Sequence, residues 1–103
     1  MRDLTMFVGT KDGDQRTLVL DHYPFTAGSR CDRDLAIGHP RISRQHAHFS
    51  REGDDVYIVD DGSRRGTLVN GDLVNRYMLK RGDKVEFGVL GVVWVLFDPE
   101  SLP

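Results

Sequence analysis

Eleven glycines and four prolines interrupt a chain of 103 residues at short intervals. Between these breaks no stretch of ten or more residues carries the apolar stripe of an amphipathic helix. The runs that remain are brief and rich in β-branched and aromatic residues, which is the pattern of an all-β fold. Strands are expected at Leu4–Gly9, Arg16–Leu20, Pro24–Ala27, Leu35–Ile37, His46–Arg51, Asp55–Asp60, Thr67–Val69, Lys84–Phe87 and Val92–Phe97. Turn signals separate them at Lys11-Asp12-Gly13-Asp14, Glu52-Gly53-Asp54 and Asn70-Gly71-Asp72. Val56 and Ile58, Val85 and Phe87, and Val92, Trp94 and Leu96 alternate as half-buried strands require, and are the core candidates. Many short strands in a chain of this length make a sandwich or a small barrel.

A chain this short supports one hydrophobic core. A single domain is expected over residues 1–98, followed by a tail or the start of a linker at 99–103. A formal net charge of -2 gives no diffuse positive field for a nucleic-acid backbone, so any anion site must be a local cluster. The one cysteine, Cys31, excludes an internal disulfide and fits a reducing compartment. No run reaches the length of a membrane span, and Met1-Arg2-Asp3-Leu4 lacks the apolar core of a signal peptide. The expected location is the cytoplasm, with no membrane partner.

In an all-β domain the strands are scaffold and the loops carry function. Three loops combine hydroxyl and guanidinium donors with glycine or a turn. They are Gly28-Ser29-Arg30-Cys31-Asp32-Arg33-Asp34, Arg41-Ile42-Ser43-Arg44-Gln45-His46 and Gly62-Ser63-Arg64-Arg65-Gly66-Thr67. A phosphomonoester dianion asks for this chemistry, because several donors, at least one of them cationic, must converge on three oxygens.

Phe25-Thr26-Ala27-Gly28, Asp34-Leu35, Ser43-Arg44-Gln45-His46-Ala47, Ser63-Arg64-Arg65-Gly66-Thr67-Leu68-Val69-Asn70-Gly71, Leu79-Lys80-Arg81-Gly82-Asp83 and Phe87-Gly88 follow one another in that order. Together they resemble the forkhead-associated (FHA) domain family from about Phe7 to Phe97. The resemblance implies a β-sandwich of two twisted, mainly antiparallel sheets with about eleven strands, and a peptide bound across the loops at one end. The implied ligand is a phosphothreonine-containing protein or peptide, the substrate of a Ser/Thr kinase. Carried over by position, Ser43 gives its hydroxyl to the phosphate and Arg44 is a further donor beside it. Arg64 falls where the family often places another phosphate contact. Gly28, His46, Gly66, Thr67 and Asn70 support the binding loops, with His46 bracing its loop from behind through its ring nitrogens.

Two positions depart from that pattern. The family usually has arginine directly after the glycine matched by Gly28; here the residue is Ser29, and Arg30 comes one place later. In an extended strand neighbouring side chains point to opposite faces and Arg30 misses the pocket, whereas a turn in the backbone brings it inward. Loss of one charge-assisted hydrogen bond, about 1.5–3 kcal/mol, weakens binding roughly 10- to 150-fold. The second departure is Arg65, where the family usually carries an asparagine that bonds the peptide backbone. Guanidinium donates but does not accept, so half of that recognition is gone and a cation is gained. Ser29, Arg30 and Arg65 therefore join Ser43, Arg44 and Arg64 as candidate phosphopeptide-binding residues.

The same residues admit other readings. A degenerate member of the fold would act as a phospho-independent interaction or self-assembly module. An oligonucleotide-binding barrel is disfavoured by the net charge and by the scarcity of loop aromatics. No nucleophile, acid/base pair or nucleotide loop is recognisable, so no catalytic residue and no cofactor is assigned. Cys31, His39, His46 and His48 match no common metal-ligand spacing, and His46 and His48 are placed on one strand face, so no metal is assigned. The oligomeric state is open.

Overall fold

The computed structural model describes residues 4–10, 15–38, 40–88 and 93–97. The turn expected at residues 11–14, the tail at 99–103, His39 and Val92 lie outside the described residues, as do the side chains of Trp94 and Leu96. Eleven strands are present among the described residues: β1 Leu4–Thr10, β2 Gln15–Leu20, β3 Phe25–Gly28, β4 Leu35–Ala36, β5 Ala47–Glu52, β6 Asp55–Asp60, β7 Thr67–Val69, β8 Asp72–Val74, β9 Arg76–Met78, β10 Asp83–Phe87 and β11 Val93–Phe97. They form a six-stranded sheet in the order β2-β1-β11-β10-β7-β8 and a five-stranded sheet in the order β4-β3-β5-β6-β9. Every pairing is antiparallel except the two-residue parallel pairing of β3 with β4. Of the sandwich and the small barrel that the strand pattern allows, the two sheets make the sandwich.

The period-two pattern explains which faces meet. Val56 and Ile58 on β6, and Val85 and Phe87 on β10, turn inward and are buried, as their alternation requires. Ala47 and Phe49 on β5 and Phe25 and Ala27 on β3 join them from the same sheet, with Met6, Val8, Leu20 and Val69 from the other. Phe49 and Phe87 are fully enclosed. Each contributes about 1.5–3 kcal/mol by burial, and truncation to alanine costs about 3–5 kcal/mol because the cavity remains.

Two turns carry their geometry in the sequence. Asn70 and Gly71 join β7 to β8 with positive φ at both, 52° and 89°, which is the requirement of the type I′ hairpin that Asn-Gly favours. Glu52 pairs with Asp55, so Gly53-Asp54 closes the β5–β6 hairpin.

Some boundaries differ from expectation. β8 and β9 are not among the expected strands: Asp72–Val74 and Arg76–Met78 are mostly exposed and carry no apolar alternation. β5 begins at Ala47, so His46 lies in the preceding loop and is fully buried, while His48 is on the outer side of the sheet bonded to Asp61. The two histidines therefore do not share a strand face.

Candidate functional site

Strand direction brings one set of loops together. The chain leaves β3 at Gly28, enters β5 at Ala47, leaves β6 at Asp60, enters β7 at Thr67 and leaves β10 at Phe87, all at the same end of the sandwich. Gly28 packs directly against the second loop. A Cβ on Gly28 would overlap the carbonyl oxygen of Arg44, so the position requires glycine for packing. Beyond it the Ser29 amide donates to the Ser43 carbonyl at 3.0 Å, which sets Ser29 beside Ser43.

His46 organises the junction. Its ring is fully buried and edge-on to the Phe87 ring, with centroids 5.4 Å apart. Nδ1 accepts the Ser43 amide at 3.1 Å, so the proton resides on Nε2, which donates to the Gly66 carbonyl at 2.8 Å. The His46 amide donates to Ala27 and its carbonyl accepts from Asp61. A buried imidazole whose every polar group is satisfied ties the second loop to the third and to the core.

The third loop is folded around Asp60. Its carboxylate accepts the amides of Gly62 and Ser63 and the hydroxyls of Ser63 and Thr67, and Ser63 Oγ in turn accepts the Gly66 amide. Burial pushes the Asp60 carboxyl up, but the hydrogen bonds from Ser63, Thr67 and Gly62 outweigh it and hold it below the usual carboxylate range. Gly66 has a φ of 90° and its carbonyl also accepts the Gly88 amide. Asp60 was not singled out from the sequence. Its signal was Asp60-Asp61-Gly62-Ser63, an acid followed at the second and third positions by residues whose amides it accepts.

The loops enclose an open depression of about 550 Å³ lined by Ser29, Pro40, Arg41, Ile42, Ser43, Arg44, Arg64 and Arg65. Ser43 Oγ accepts the Arg64 amide at 2.9 Å and keeps its own proton to donate. Arg41, which the sequence placed in the second loop without assigning it to the site, contributes to the wall. The side chains of Arg44, Arg64 and Arg65 engage no carboxylate among the described residues, whereas Arg30, Arg33, Arg51 and Arg76 each have one.

Two candidates lie elsewhere. After Ser29 the chain doubles back beside β3, where Asp34 accepts the amide and hydroxyl of Thr26 and a ring nitrogen of His22. Arg30 is not among the residues lining the depression: its amide donates to the Arg44 carbonyl at 3.5 Å and its guanidinium to Asp32 at 3.0 Å. Hydrogen bonding from Arg33, and the charge of Arg30, hold the Asp32 carboxyl below its ordinary range, so the carboxylate that keeps Arg30 is charged. Asn70 was expected to support the binding loops. It is at the opposite end of β7, where its amide side chain donates to Asp83 and accepts the Lys84 amide. The hairpin geometry that makes asparagine suitable there has no bearing on the depression.

The model of the FHA domain matches residues 25–88. An oxoglutarate dehydrogenase inhibitor of Corynebacterium jeikeium is 36% identical over 77 residues, covering 75% of this chain and 54% of its own. The glycogen accumulation regulator GarA of Mycolicibacterium smegmatis is 37% identical over 83 residues, covering 81% and 52%. The chain spans about half the length of the curated relatives it matches. Among solved structures, the FHA domain of the CT664 protein from Chlamydia trachomatis superposes with a TM-score of 0.81 at 25% identity, over 94% of this chain and 97% of that one. The FhaA FHA domain, solved in complex with the intracellular domain of Rv3910, gives 0.75 at 24%, over 88% and 97%.

Proposed function

The chain belongs to the FHA domain family, and from that premise we propose that it is a phosphothreonine-peptide-binding module that brings a kinase-modified protein to its own assembly. One observation supports this above the others. A hydroxyl donor, Ser43, and three arginines without a carboxylate partner among the described residues face one open depression. Ser43 and Arg44 are the primary phosphate donors, with Arg64 and Ser29 beside them. Arg65 faces the peptide, and Arg30, paired with Asp32, takes no part. The relatives named as an inhibitor and a regulator support a binding role over an enzymatic one. No helix among the described residues is long and apolar enough to cross a membrane, and we assign the domain to the cytoplasm, where Ser/Thr kinases and their substrates meet.

The phospho-independent alternative draws on Ser29 and Arg65 in place of the usual arginine and asparagine, and on the pairing of Arg30 with Asp32. The open depression weighs against it, since a degenerate pocket is expected to be filled by its own side chains. Titration with a degenerate phosphothreonine peptide library, repeated with Ser43→Ala and Arg44→Ala, tests the proposal. Binding that requires the phosphate and falls at least about tenfold in either variant supports it. Equal binding of phosphorylated and unphosphorylated peptides overturns it.

A further inference from the structure

We infer that the depression selects a peptide bearing two anionic groups, a phosphothreonine and a second phosphate or carboxylate within a few residues of it, with Arg65 meeting the second group. The inference rests on the phosphopeptide reading and deepens it.

The distribution of charge carries the argument. Carboxylates are not scarce, since 16 Asp and Glu face 14 Lys and Arg over the chain. Elsewhere the described structure uses them to pair cations: Arg30 and Arg33 with Asp32, Arg51 with Asp54, Arg76 with Glu52. Three of the four arginines that line the depression stand apart from this pairing. Its wall contains no aspartate or glutamate, and Arg44, Arg64 and Arg65 engage none. Three like charges held around one site raise its energy when it is empty and favour a ligand that neutralises all of them.

A phosphothreonine supplies about −1.5 to −2 charges and three terminal oxygens. Three guanidinium groups supply three charges and five N–H donors each, and the Ser43 hydroxyl adds another donor. One phosphate therefore leaves at least about one cation and more than one donor fork unanswered. The depression, about 550 Å³ in volume, has room for a second group. Arg64 is tied through its amide to Ser43 Oγ and so belongs with the primary phosphate. Arg65, one residue further on and bearing no such tie, is the arginine of the third loop left for the second, and Arg41 adds a fourth cation to the same wall. At this position the guanidinium offers charge without an acceptor, which suits an anion and not a peptide amide.

The test uses the whole chain and four versions of one peptide taken from the library selection: unphosphorylated, singly phosphorylated on threonine, singly phosphorylated with an added aspartate, and doubly phosphorylated. The position of the second group is scanned on both sides of the phosphothreonine. At low ionic strength the best doubly anionic peptide is expected to bind about five- to tenfold more tightly than the singly phosphorylated one, a gap that narrows as salt screens exposed charges. Preference for the doubly phosphorylated peptide identifies phosphate as the second group, and equal gain from aspartate identifies a carboxylate; both support the inference. Arg65→Asn is expected to bring the ratio close to one and Arg65→Lys to keep most of it, with the melting temperature showing that both variants fold. Phosphate-dependent binding with no gain from a second anion at any position overturns the inference and leaves the phosphothreonine reading intact. Loss of phosphate dependence altogether overturns both. A ratio unchanged in Arg65→Asn overturns the role of Arg65.

Discussion

The hydroxyl oxygen of Ser43 accepts the backbone amide of Arg64 across 21 residues of sequence, at 2.9 Å. The residue expected to donate to phosphate thus also fixes the loop that presents Arg64 and Arg65. Ser43→Ala removes both roles. It is expected to weaken phosphopeptide binding at least about tenfold and to cost about 1 kcal/mol of stability through the unsatisfied amide. Ser43→Thr keeps the oxygen and should retain most of both. Calorimetric titration and denaturant melts on the two variants measure the difference.

His46→Ala is expected to be far more costly to the fold than its single ring suggests. It orphans the Ser43 amide, removes the Nε2–H donor to Gly66, and opens a cavity against Phe87. A loss of about 3–5 kcal/mol is expected in chemical denaturation, in the range of a large core truncation.

Ser29→Arg places a guanidinium at the wall of the depression, where Arg30 does not reach. An affinity gain of about tenfold for a singly phosphorylated peptide is expected, at the lower end of what one charge-assisted hydrogen bond supplies. No gain, with the fold intact, would show that this wall does not face the phosphate.

Stability should change with pH at both ends of the range. Burial pushes the carboxyls of Asp60 and Asp34 up, but their hydrogen bonds prevail, Asp60 through Ser63, Thr67 and Gly62 and Asp34 through Thr26 and His22. Both are held below the ordinary value of 3.8. Their contribution is present above that value and lost as pH falls through the lower folded values. Asp60→Asn is expected to flatten the acid limb of a plot of melting temperature against pH while lowering the plateau, because an amide cannot accept all four donors. His22 behaves oppositely. The hydrogen bond to Asp21, then that to Asp34, raise it above 6.5. Its contribution is complete below that value and fades as pH rises through the folded one, and His22→Gln should remove this decline.

The parts of the fold legible in the sequence are those in which one residue's chemistry decides the geometry. Asn70-Gly71 signals a tight turn, which the structure closes with positive φ at both residues, and the alternation of Val56 and Ile58 and of Val85 and Phe87 points to the core. The three-residue strands β8 and β9 were not legible, because their pairing depends on neighbours in space. At the site, the motif loops located the depression, but the direction of Arg30 did not follow from its position. It is decided by where the chain doubles back to let Asp34 reach Thr26, and by the competing carboxylate of Asp32. Asn70 misled for the converse reason, since its spacing from Thr67 is fixed while the hairpin carries it to the far end of β7.

The most direct measurement of the central claim is a pair of titrations of the chain with one library-selected peptide, threonine-phosphorylated and not, followed by backbone amide shifts. The phosphorylated peptide is expected to bind and to move the amides of Ser29, Ser43, Arg44, Arg64 and Arg65 most. Indistinguishable affinities, or shifts confined to residues away from that depression, would contradict the account.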